Sequence, residues 1–201
     1  MRPVATFVVV IGAVGWLTMA CGTESGGFGT TNDTPVTADR SFVADGAIKM
    51  ELGGGAYEIR TSADTRVHVA TSGHTGDAKV DIATDDKTAT VKVSNTPKSN
   101  FHATIDIPKT SNATIHLAAG EITVEPIGGN LDVDSTAGNV TILVDDPSNY
   151  SSVTASVKAG DLKAEPFGES KSGLMQSFTW SGSGKRTLHA SLGAGNLKIE
   201  Q

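Results

Sequence analysis

Five segments of this chain repeat one pattern, and that pattern limits the folds open to it more than any other feature. Met50–Ile59, Ile115–Val124, Val133–Ile142, Ala155–Ala164 and Ala190–Ile199 each place apolar residues two apart, then Ala-Gly or Gly-Gly, then apolar residues two apart again. The shared glycines are Gly55, Gly120, Gly138, Gly160 and Gly195, and the middle copies are spaced by 18 and then 22 residues. A period of two puts alternate side chains on one face of a β-strand. A glycine between two such runs permits a positive φ or a close backbone approach, which a sharp turn between strands requires. The expected unit is therefore strand, corner, strand. Inward pairs are Leu131/Val133, Val140/Ile142/Val144, Val153/Ala155/Val157 and Leu197/Ile199.

Repeats of about 20 residues with a glycine corner predict an all-β fold, a β-solenoid or β-roll-like stack of short strands. An antiparallel β-sandwich with glycine-containing turns is the alternative. Aromatic residues make up only 5% of the chain, which suits a narrow interior. Val67/Val69, Val80/Ile82, Val91/Val93 and Ile105/Ile107 continue the strand pattern, but residues 60–100 lack the glycine motif, so the first half is open to a different pairing. The longest helical period after residue 21 is a short one around Gly173–Phe178.

Before the repeats lies a different kind of sequence. Arg2 is the only charge ahead of Glu24, and the residues between are apolar up to Cys21, the single cysteine. A short positive start, an apolar stretch and a small residue at a cleavage point describe a secretory signal, with cleavage after Ala20. Leu17–Cys21 resembles the lipobox of bacterial lipoproteins, with Thr18 and Met19 departing from its usual residues. That resemblance implies a lipidated Cys21 and a membrane anchor. An uncleaved membrane-spanning helix is the alternative, and Arg2 orients both with the rest of the chain outside the cytoplasm. The expected organisation is a signal peptide over 1–20, a flexible Gly/Ser/Thr linker over 21–40 beginning at the lipidated Cys21, and a β-solenoid-like domain over 41–201.

The repeats Ile115–Val124, Val133–Ile142, Ala155–Ala164 and Ala190–Ile199, preceded by Ile105-Asp106-Ile107-Pro108, resemble the putative-adhesin domain of bacterial envelope proteins, of the DUF4097 type, over roughly residues 45–200. The resemblance implies a right-handed solenoid-like fold, export, and no catalytic residues. Gly168–Thr187 is an insertion relative to that pattern.

Charge and composition exclude some functions. The formal net charge is −6, and loss of residues 1–20 removes one base and no acid. Such a chain lacks the basic face that nucleic acid requires. One cysteine excludes a disulfide framework or a cysteine-rich zinc module. Gly182–Thr187 has Lys185 after a glycine but carries Arg186 where a phosphate loop needs Ser or Thr. It reads as a surface turn. His68, His74, His102, His116 and His189 show no metal-ligand spacing, so neither metal nor cofactor is expected.

Asp132 and Asp134 lie two apart and face outward, as a glycan-acting enzyme would need, or they join Glu121, Asn139 and Asp161 as a calcium-binding column. A solvated acidic face explains them more simply. Phe178 and Trp180 offer an aromatic contact for a sugar or protein partner, or a cover for the end of the core. The function expected is a lipid-anchored, non-catalytic binding, adhesion or structural module of the cell envelope. Its partners are the membrane through the lipid, and an envelope protein or glycan. The alternatives are a glycan-acting enzyme and an accessory to envelope-stress signalling.

Overall fold

The computed structural model of the protein describes residues 34–201. The signal segment, Cys21 and the linker up to residue 33 lie outside the described residues. Eleven strands carry the fold: β1 (Thr37–Ser41), β2 (Ala47–Ser62), β3 (Arg66–Gly73), β4 (Lys79–Asp85), β5 (Thr88–Ser94), β6 (Phe101–Pro108), β7 (Asn112–Val124), β8 (Leu131–Leu143), β9 (Tyr150–Ala164), β10 (Glu169–Ser181) and β11 (Arg186–Glu200). Two short 3₁₀ turns, Pro147–Asn149 and Glu165–Phe167, precede β9 and β10.

The five repeats are the five long strands β2, β7, β8, β9 and β11, each bent at its glycine. In β8, Leu131, Val133 and Ser135 point inward before the bend, and Val140 and Ile142 after it. The parity of the inward positions thus changes at the corner, and one strand lines two walls of the core. The strands stack in parallel in the order β2, β7, β8, β11, β9, with the glycines in register as Gly55, Gly120, Gly138, Gly195 and Gly160. All five have φ between 123° and 145°. A β-carbon on Gly120, Gly138, Gly195 or Gly160 would overlap the carbonyl oxygen of the preceding glycine in the column. Both uses of the corner glycine, left-handed backbone and close approach, therefore apply at once.

Inward side chains form columns along the stack. One runs Met50, Ile115, Val133, Ala190, Ala155, all fully buried. Another runs Ile59, Val124, Ile142, Ile199, Ala164. Each buried Val, Leu or Ile contributes about 1.5–3 kcal/mol by leaving water.

The first half builds one further parallel layer from two pieces. β5 pairs in parallel with the first arm of β2, and β6 with the second. The glycine corner is replaced there by a loop over 95–100, with Asn95 and Asn100 at φ 55° and 57°. β4 then pairs antiparallel with β5, β3 with β6, and β1 with β3. At the opposite end β10 pairs antiparallel with both arms of β9. The stack is parallel in the middle and closed at each end by reversed strands, which sets aside a wholly antiparallel sandwich.

Two expectations need correction. The stretch expected as linker up to residue 40 ends in structure: β1 starts at Thr37, and the Val36 N–H donates to Thr71 Oγ1 at 2.8 Å. The helical period near Gly173–Phe178 is part of a strand, because β9 offers partners to all of it but Met175 at the bend. The layers do not follow sequence order: β11 inserts between β8 and β9.

Candidate functional site

The outward side of the first arm carries a continuous polar row. In register across the sheet stand Asp81, Lys92, Glu51, His116, Asp134, Ser191 and Ser156. Lys92 Nζ lies 3.1 Å from Glu51, and His116 Nδ1 lies 3.6 Å from Asp134. Together with Lys158 and the corner residues, this row lines a shallow groove of about 520 Å³. Lys92 stands between Asp81 and Glu51, and Asp134 has the His116 imidazole beside it.

Asp132 and Asp134 do share the outward side of β8. Asp134 is about half exposed and bound to His116, while Asp132 stands in the next row between Thr114 and His189. Asp132 Oδ1 is buried without a hydrogen-bond partner in the protein. The order His116, Asp134, Ser191 places the carboxylate between imidazole and hydroxyl. Ser191 therefore stands beside Asp134 and Ser156, and the His116 imidazole lies one strand further away.

Glu121, Asn139 and Asp161 fall on the other arm and share a row with Asn196, so they form no column with Asp132 and Asp134. Asn139 Nδ2 donates to Glu121 Oε1 at 3.1 Å, and Asn196 Nδ2 to Asn139 Oδ1 at 2.9 Å. The amides tie consecutive layers to one another. Among the described residues no group of three or more His, Cys, Asp or Glu is arranged to hold a metal ion.

A second charged row closes the β1 end. Asp39, His68, Asp106 and Arg60 are in register on β1, β3, β6 and β2. Arg60 Nε meets Asp106 Oδ1 at 2.9 Å, and these two charges hold the Arg60 guanidinium above its ordinary pKa. His68 and His116 both reach solvent, as their alternation predicts.

The turn that superficially resembles a phosphate loop has a structural task. Arg186 at the start of β11 donates to Ile127 O at 2.6 Å and to Asp145, and its guanidinium lies 4.6 Å from the Tyr150 ring centre. It joins the two return loops that flank β8.

Phe178 and Trp180 are two apart on a strand and so point the same way, into the fold. Phe178 is buried, and Trp180 packs beside it, with Phe167 5.0 Å from Trp180 and 6.0 Å from Tyr150. They cover the narrow end of the stack, where the inward residues of β9 are Ala155 and Val153. Phe178 is thereby withdrawn from any partner, while Trp180 stays partly exposed beside it. Among the described residues the large apolar side chains left exposed are Val43, at 41%, and the adjacent Leu174 and Met175, which no local pattern marks because alternation does not show which side of a corner is bare.

This geometry defines a class: an open all-β stack of bent parallel strands, closed at both ends by reversed ones. One solved structure of matching shape is a putative cell adhesion protein from Clostridium sporogenes, with a TM-score of 0.53 and 13% identity, covering 84% of this chain and 100% of that one. A putative adhesin from Parabacteroides distasonis matches with 15% identity and a TM-score of 0.29, over 84% of this chain and 71% of that one. At such identities the likeness concerns the fold. No family model matches the chain, and no curated protein matches it significantly.

Proposed function

We propose that this chain is an exported protein anchored in the bacterial cell membrane through lipid on Cys21, and that its β-stack is a non-catalytic binding or adhesion module outside the cytoplasm. The observation that carries the reading is the union of an apolar leader ending at the sole cysteine with a domain that is almost entirely stacked strand. The shape shared with the C. sporogenes cell adhesion protein supports the adhesive part. The separation of Ser191 from His116 by Asp134 supports the non-catalytic part. Several acyl chains on one cysteine, at about 0.8 kcal/mol per buried methylene, anchor stably.

Intact mass and membrane partition of the native protein beside a Cys21→Ser variant test the anchor. The expected result is loss of residues 1–20 plus acyl chains in the native protein, and release or non-processing of the variant. An unmodified Cys21 on a complete N-terminus would overturn the lipid anchor in favour of a membrane-spanning helix.

A further inference from the structure

The two ends of the stack differ in how they meet solvent. At one end, β1 and β4 carry Asp39, Arg40, Lys79, Asp81 and Asp85, the kind of charged edge that discourages strand pairing. At the other end, β10 pairs with β9 alone, and from Ser172 to Ser181 it has no charged residue. Leu174 and Met175 sit at its bend, 75% and 77% exposed, and Met175 has a φ of 52°. A long uncharged edge with a bare apolar pair is a template for another strand.

The relation of β10 to β9 says which strand fits. β10 runs antiparallel to β9 with Gly173 opposite Gly160, so a reversed bent strand rests on a bent strand with both arms matched. Repeating that relation between two β10 strands creates a two-fold axis through the two bends. Each copy's Glu169–Lys171 arm then lies over the partner's uncharged Ser177–Ser181 arm, so no like charges face each other. Glu169 and Lys171 are already paired at 3.2 Å. Leu174 and Met175 of both copies meet at the axis. The Leu174 and Ser177 carbonyls accept from the Gln176 and Lys171 side chains, which leaves each oxygen a second lone pair.

We infer that the β10 edge is a homophilic contact surface whose occupant is the β10 edge of a second copy. The two-fold lies across the stack, so the two β1 ends, where the chain arrives from Cys21, point in opposite directions. Resting on the anchored reading above, this pairs copies on facing membranes rather than neighbours in one membrane. The 13 residues of β10 fall short of the 20–30 a side of a standard interface. The single contact is therefore weak, and multivalency on a surface supplies the strength.

The test uses the full chain in detergent, where self-association does not depend on how the protein is anchored. Sedimentation across a concentration series should show a monomer–dimer equilibrium, weakened at least tenfold by Leu174→Asp with Met175→Asp and unchanged by Asp81→Asn. In a Cys21→Ser background, Leu174→Cys should give a disulfide-linked dimer on oxidation, and Asp81→Cys should not. Monomer at every concentration, equal cross-linking at both positions, or growth into filaments rather than dimers would each overturn the proposal. If the Asp variants fail to fold, the two cysteine variants still decide. Failure of the lipid anchor appears separately, in the mass of native Cys21.

Discussion

At the scale of single residues, the corner glycines make two kinds of cost separable. Gly138 has a φ of 128° and a neighbouring carbonyl where a β-carbon would go, whereas Gly168 has a φ of 76° and nothing within 4 Å. Gly168→Ala is expected to cost about 1 kcal/mol, the left-handed penalty alone. Gly138→Ala is expected to cost about 3 kcal/mol or more, because the layers must also separate. Urea denaturation of both variants checks the difference. Tyr57 offers a test of burial. Its ring is 3% exposed, its hydroxyl has no partner in the protein, and burial raises the phenol far above its ordinary pKa. The raised folded value means that full stability persists below the unfolded pKa of about 10 and declines as pH rises above it, by up to about 1.4 kcal/mol per pH unit. Tyr57→Phe should remove that alkaline decline and leave neutral stability equal or higher, as pH-dependent melting would show.

At the scale of elements, the outcome depends on what each strand carries locally. The five glycine-bent strands were legible because corner and alternation both lie within ten residues. The β5/β6 layer was not legible as a coil, since its corner is a six-residue loop over 95–100 that marks no repeat. The reversed strand β10 was hidden for another reason: it keeps a corner glycine, Gly173 opposite Gly160, but carries inward bulk, Phe178 and Trp180, in place of the apolar alternation of the repeats. Phe178→Ala is expected to cost about 3–5 kcal/mol, as for other buried phenylalanines. The turn before β11 yields a sharper prediction. Arg186 satisfies Ile127 O and Asp145 and stacks on Tyr150, and a lysine keeps the charge but not the planar fork. Arg186→Lys should therefore cost about 2–3 kcal/mol in thermal or urea melts.

At the scale of the whole molecule, the polar rows depend on the order of the layers. Sequence alternation puts His116 and Asp134 on outward positions of two strands, and the structure adds Ser191 on a third. Only the order β7, β8, β11 makes them consecutive, and five strands sharing one motif do not specify which neighbours which. The candidate groove was therefore illegible, although alternation had already turned His116 and Asp134 outward. The same order governs cooperativity. Cutting the chain before Arg186 would leave β9 and β10 with no place beside β8, so residues 1–185 should show less strand signal and a lower melting temperature than the full chain by circular dichroism.

The late insertion of β11 also has a consequence for biosynthesis. β8, β9 and β10 leave the ribosome before Arg186–Glu200, yet β9 and β10 have no place beside β8 until that segment arrives. For a chain exported N-terminus first, as proposed above, residues 144–185 would thus stay threadable through a narrow channel after the earlier strands have paired. Compaction of its second half would come only when the closing segment emerges on the far side.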